Sequence, residues 1–139
     1  MSLHEVVTLA SVVEKETGLA SERPLIASVF LNRLKKHMRL ESDPTVIYGI
    51  KDFNGNLTRK DLARKTPYNT YVIKGLPPGP IANPGLESIR AVLYPADTQY
   101  LYFVSKNDGS HFFSATLAQH NRAVAKYQKH RRYRKEKRP

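Results

Sequence analysis

The sequence predicts an α+β domain, mostly helical with a small antiparallel β-sheet. Near the N-terminus apolar residues recur at helical spacing. Farther on, the aromatic segments YLYFVS and HFFSA flank an Asn-Asp-Gly turn and give the clearest strand signal. The chain has 139 residues, 40% apolar and 25% charged, the size and balance of one globular domain with a core of its own. No apolar run approaches the roughly 18 residues of a spanning helix. The opening MSLHEVVTLA has neither the basic region nor the cleavage site of a signal peptide.

The first helix is expected over 5–16, with Val6, Leu9, Ala10, Val13 and Thr17 on one face and Gly18 as its terminator. A core-like helix this close to residue 1 suggests a piece of a longer protein, with Met-Ser-Leu as an appended start. Ser21 is placed to cap a second helix over 22–37, with Pro24 in its first turn. Its face carries Ile26, Val29, Phe30, Arg33, Leu34 and His37.

From 39 to 84 turn signals crowd together: Asp43-Pro44, Asn54-Gly55, Thr66-Pro67 and Gly75-Leu-Pro-Pro-Gly79. A short helix is expected at 58–64, where Thr58 and Asp61 can form a capping box. Pro44, Pro67, Pro77, Pro78 and Pro80 stiffen the rest. Long irregular segments in a compact domain are usually functional, and a rigid one can shape a groove for an extended ligand. Asn83 with Pro84 is expected to start a helix that runs to Leu93. The hairpin 100–105/111–115 follows, then a helix capped by Thr116.

The formal charge is +11, and it is concentrated: the last fourteen residues, KYQKHRRYRKEKRP, hold eight Lys/Arg and one Glu. The reading is a folded domain over 1–127 and a basic tail over 128–139. Such a tail is attracted to polyanions or is simply solvated. The chain has no cysteine, which excludes disulfides, thiol nucleophiles and zinc–thiolate sites. His4, His37, His111, His120 and His130 show no metal-ligand spacing, and no phosphate-binding glycine loop or GxSxG elbow is present. No metal and no cofactor is expected.

Three constellations could carry chemistry. Glu14 and Glu16 end an apolar helix, where a carboxyl beside apolar surface gains a raised pKa suited to a general acid. Periodicity does not choose between them, and both could equally be solvated. Tyr68-Asn69-Thr70-Tyr71 pairs aromatic faces that stack on sugar rings with groups that bond hydroxyl and N-acetyl groups; it could also be an anchored turn. Ser42-Asp43-Pro44-Thr45 with Tyr48 offers a second carboxylate or a turn former.

The order of LASVVEKETGLASERPLIASVFLNRLKKHMRLESDPTVIYGI, LTRKDL, TPYNTYVIKGLPPGPIANPGLESIRAVLYPA and YLYFVSKNDGSHFFSATLAQHN resembles the YceG-like family of endolytic murein transglycosylases, also called MltG, over about residues 7–127. The resemblance implies a lysozyme-like catalytic domain that cuts peptidoglycan strands internally between N-acetylmuramic acid and N-acetylglucosamine, leaving 1,6-anhydro-muramyl ends. In related enzymes the catalytic Glu precedes Ser or Thr at a helix end, which maps onto Glu16-Thr17 and selects Glu16. The resemblance also implies substrate binding by Tyr68, Asn69, Thr70 and Tyr71, with Asp43, Thr45, Tyr48 and Asn83. It implies an inner-membrane anchor in the full-length protein, absent from this chain, with the catalytic domain in the bacterial cell envelope. Peptidoglycan synthases are the implied partners, and no nucleic acid is expected. The competing readings are a muramidase that hydrolyses the same bond, with Asp43 placing water, and a non-catalytic glycan-binding domain. Pyridoxal-phosphate chemistry of aminodeoxychorismate metabolism finds no phosphate cup here.

Overall fold

A computed structural model describes residues 1–129. The basic tail lies almost wholly outside the described residues. Helix α1 (Leu3–Glu16) starts at Ser2, whose hydroxyl accepts the Glu5 N–H while the Glu5 carboxylate accepts the Ser2 N–H. This capping box satisfies two donors that a helix start leaves free. Val6, Leu9, Ala10, Val12 and Val13 are buried along it.

The helix does not end on a left-handed Gly18. Thr17 turns extended (φ −145°), and its buried hydroxyl accepts the Leu19 N–H at 3.0 Å. A single 3-10 turn, Ala20–Glu22, leads into α2 (Arg23–Lys35), with Pro24 in the first turn. Ser21 is not the cap. Glu22 stands at the cap position, but its carboxylate is engaged elsewhere: one oxygen accepts the His111 N–H at 2.9 Å and the other meets His111 Nδ1 at 2.8 Å.

α2 stops short of 37. His37 adopts φ +57° and is exposed, so it leaves the apolar face. The Met38 N–H reaches the Arg33 carbonyl and the His37 N–H the Leu34 carbonyl, the paired bonds of a Schellman ending.

Asp43-Pro44 is not a simple turn. It opens a six-residue helix, α3 (Asp43–Tyr48), with Pro44 in the first turn, where proline costs nothing. α4 (Arg59–Leu62) opens on the expected Thr58–Asp61 box. α5 (Leu86–Leu93) begins two residues later than Asn83 suggested, with Gly85 at its cap position. The cap comes from another helix: Glu14 Oε1 accepts the Gly85 N–H at 2.7 Å and the Ser88 hydroxyl at 3.0 Å. A Cβ at Gly85 would stand 3.1 Å from that oxygen, so glycine permits the approach.

β1 (Tyr102–Ser105) and β2 (His111–Ser114) pair antiparallel, with Phe103 opposite Phe113. Asn107 and Gly109 take positive φ in the turn. α6 (Leu117–Val124) starts on Thr116 and passes into a π turn, Ala125–Lys129. Among the described residues no helix is long and apolar enough to cross a membrane.

α1 packs against both α2 and α5, and one core joins Leu9, Val12, Val13, Ile26, Phe30, Leu40, Ile81 and Val92. Phe30 meets Phe103 edge-on at 5.8 Å, which ties the hairpin to the helices. Phe30→Ala is therefore expected to cost about 3–5 kcal/mol in urea unfolding, from lost transfer energy and a cavity. Glu14→Ala, which removes a partly exposed cap, is expected to cost about 1 kcal/mol in the same measurement.

Candidate active site

Two residues apart on a helix is a rotation of about 200°, so Glu14 and Glu16 leave α1 on opposite sides. Their surroundings divide accordingly. The Gly85 N–H, the Ser88 hydroxyl and the Arg23 guanidinium, 3.9 Å away, hold the Glu14 carboxyl below the usual range. It stays ionised at neutral pH and carries no proton to give.

Glu16 is partly buried at the floor of a cleft. Burial pushes its pKa up to about 7, and the neighbouring Asp43 charge adds to the rise. The Ser42 hydroxyl opposes it by donating to Oε1 at 2.8 Å. That hydrogen bond also fixes one carboxyl oxygen and leaves the other for a ligand.

Ser42 is held by a ring of hydrogen bonds. Its N–H donates to Thr70 Oγ1 at 2.8 Å, and Thr45 Oγ1 donates to its carbonyl at 2.7 Å. The two threonine oxygens are 2.8 Å apart; with the Thr45 proton committed to Ser42, Thr70 donates. Thr45 and Thr70 are fully buried, as is Asn69. Asn69 gives both amide protons to the Leu62 and Arg64 carbonyls and accepts the Tyr71 N–H at 2.8 Å. These three side chains present no atom to the cleft, contrary to direct sugar contact. They fix the two segments that present Ser42 and Tyr71, one before α3 and one after α4.

The Tyr71 hydroxyl donates to Asp43 Oδ1 at 2.5 Å. Burial and the Asp43 carboxylate raise its pKa, so it remains a donor. Glu16, Asp43 and Tyr71 thus meet in one cleft of about 220 Å³. Tyr48 and Tyr68 stand on the other flank of α3, rings 4.7 Å apart and tilted by 48°. Tyr48, Pro44, Ile47, Lys15 and Ile81 line a second depression of about 380 Å³ there. Asn83 is exposed and lines neither.

Sequence reasoning missed three ionisable residues of the cleft, Arg33, Glu41 and His120, and two apolar ones, Leu40 and Phe103. Arg33 is buried, donating from Nε to the Leu101 carbonyl and from Nη1 to the Arg39 carbonyl, with Tyr102 under its guanidinium at 5.1 Å. A charge on an otherwise apolar helix face was its signal. Glu41 adopts φ +52° beside Ser42, a conformation that costs about 1–3 kcal/mol in a non-glycine residue and gathers at functional sites. His120 stacks on Tyr102 at 4.9 Å, and burial lowers its pKa.

The raised pKa of Glu16 has a consequence for stability. Between its ordinary 4.5 and about 7 the folded state holds a proton that the unfolded chain has released. The contribution is present below pH 4.5 and is lost as pH rises through about 7, a change of about 3 kcal/mol. Glu16→Gln is expected to match the parent in urea unfolding at pH 4.5 and to exceed it at pH 8.

The YceG-like family model matches residues 1–126. The chain is 48% identical over 127 residues to an endolytic murein transglycosylase of Bacillus subtilis, an alignment covering 91% of this chain and 35% of the relative. It is 35% identical over 133 residues to one of Streptococcus pneumoniae, covering 91% and 24%. A crystal structure of a yceG-like protein of Listeria monocytogenes matches with a TM-score of 0.80 and 48% identity, over 88% of this chain and 39% of that one. The chain therefore spans about a third or less of the curated relatives it matches. On its sequence and its fold alike, it belongs to the YceG-like family.

Proposed function

We propose that this chain is the lysozyme-like catalytic domain of an endolytic murein transglycosylase, with Glu16 as its acid and then its base. The observation that carries the reading is a partly buried carboxyl lining the cleft, one oxygen fixed by Ser42, where burial pushes its pKa up to about 7. The names of the relatives support the substrate, peptidoglycan glycan strands.

In the reaction Glu16 gives its proton to the oxygen between muramyl C1 and the next N-acetylglucosamine. The C1–O bond breaks, the leaving sugar departs with a hydroxyl, and an oxocarbenium-like centre develops at C1. The Glu16 carboxylate then takes the proton of the muramyl C6 hydroxyl. O6 bonds to C1 and closes the 1,6-anhydro ring. Glu16 ends protonated, and no water is consumed. Ordinary glycosidases need a second carboxyl to act as nucleophile or to activate water; here the substrate's hydroxyl replaces both.

Tyr71 and Asp43 form the polar wall of the site, and Tyr48 with Tyr68 offers aromatic faces to a neighbouring sugar. Asn69, Thr70 and Thr45 are positioning residues acting through Ser42 and Tyr71. Asn83 contacts the strand only if it extends past α5. The catalytic domain is 1–127 and the tail 128–139. In the whole protein this domain lies on the outer side of an anchoring membrane helix, in the cell envelope, near peptidoglycan synthases.

A second reading has a specific observation in its favour: Asp43 and Glu41 share the cleft with Glu16, so a hydrolase could place water on one of them. Mass spectrometry of products from nascent uncrosslinked strands separates the readings. Anhydro-muramyl ends from the parent, lost about 10³-fold in Glu16→Gln, are expected. Reducing ends would identify a hydrolase. Cleavage indifferent to Glu16→Gln would remove Glu16 from the chemistry, and strand binding with no cleavage by the parent would identify a glycan-binding domain.

Because the acid must start protonated, kcat/KM is expected to fall above pH about 7, tenfold per unit. In Ser42→Ala, which loses the hydrogen bond that favours the ionised form, the break moves to higher pH.

A further inference from the structure

A cavity that the proposed reaction does not use lies beyond the hairpin, between it and α6 with its π turn. It holds about 560 Å³. Tyr100, Phe112, Phe113 and Tyr127 give it aromatic walls, and Arg122 and Lys126 stand exposed at its rim. Tyr100 stacks on Phe113 at 5.7 Å, and Lys126 Nζ lies 5.2 Å from the centre of the Tyr127 ring. No carboxylate lines the groove, and none occurs anywhere between 109 and 129. Neither Arg122 nor Lys126 forms an ion pair within the described residues. The residues after 129 are themselves strongly basic, so their charge repels this rim rather than complementing it.

Resting on the proposed activity, we infer that this groove binds the carboxylate-bearing peptide stem of an uncrosslinked glycan strand. Charge complementarity selects an anion, and the aromatic walls select a ligand with apolar and flat faces, which a short peptide of small residues and amide planes supplies. Position links the groove to the chemistry. α6 sends His120 into the Glu16 cleft and Gln119 and Ala123 into this groove. Phe103 lines the cleft and its cross-strand partner Phe113 lines the groove, rings 6.2 Å apart. One layer of side chains separates the two. A five-residue stem reaches about 17 Å when extended, enough to pass from a muramyl ring in the cleft around that layer.

The test uses the whole chain and a synthetic stem pentapeptide with free carboxylates, titrated by NMR and calorimetry. Saturable shifts are expected at Phe112, Gln119 and Tyr127 rather than around Glu16. Affinity should fall at least about tenfold, or 1.4 kcal/mol, for Arg122→Glu/Lys126→Glu, and similarly for the fully amidated peptide. Both substitutions are at exposed positions; circular dichroism and the unfolding midpoint report whether the fold is intact. On strands the double variant should raise KM for peptide-bearing substrate and leave amidase-stripped glycan unaffected. The inference is overturned by the absence of saturable binding, by binding insensitive to the charge reversal, or by binding of phosphatidylglycerol vesicles or polyglycerol phosphate in place of the peptide. Peptide binding without strand cleavage by the parent would remove the proposed activity and leave the groove. Cleavage without peptide binding would do the reverse.

Discussion

A carboxyl kept from water against its preference organises this molecule. Glu16 sits at the last turn of α1, where the apolar stripe that builds the core runs out beside the cleft. Burial raises its pKa, and the Ser42 hydroxyl limits the rise while fixing the geometry. That hydroxyl is only as well placed as its backbone. The threonine ring of Thr45 and Thr70 holds the backbone from both sides, and Asn69 ties the segment that carries Thr70 to the end of α4. Buried polar networks of this kind are stable only when every member is satisfied, and here each of the three side chains has its partners.

The rest of the fold serves this arrangement. Glu14, opposite Glu16 on the same helix, caps α5 and fixes the rotation of α1 about its axis. If α1 rotated by one residue, Glu14 would lose the α5 start and Glu16 would lose Ser42 together. The Glu22–His111 contact and the Phe30–Phe103 contact dock the hairpin, which supplies Phe103 to the cleft wall. The site carries two destabilising features, the desolvated Glu16 and the left-handed Glu41, which the core of α1, α2 and α5 offsets.

Local chemistry made much of this legible in the sequence. The stripe of α1, the Thr58–Asp61 box, Thr116 and the Asn-Asp-Gly turn each involve residues within a few positions of one another, and each predicted element is there. The misses are places where a distant residue takes over a local role. Asn83 lost the start of α5 because Glu14 caps Gly85 from across the core. Ser21 is no cap, and Glu22 at that position spends its carboxylate on His111. The helix at Asp43-Pro44 was hidden because the same dipeptide suits a turn or a first helical turn. The difference between Glu14 and Glu16 rests on Gly85, Ser88 and Ser42, which spacing along α1 does not contain. Asn69 and Thr70 looked like sugar-binding residues by type alone; burial turned them inward.

The most direct measurement is a ¹³C NMR titration of the Glu16 side-chain carboxyl, assigned by its loss in Glu16→Gln. A midpoint near 7, moving upward in Ser42→Ala, is the result this account predicts. A midpoint near the ordinary 4.5 would mean that the carboxyl is solvated and ionised at neutral pH, and would contradict the proposed role of proton donor.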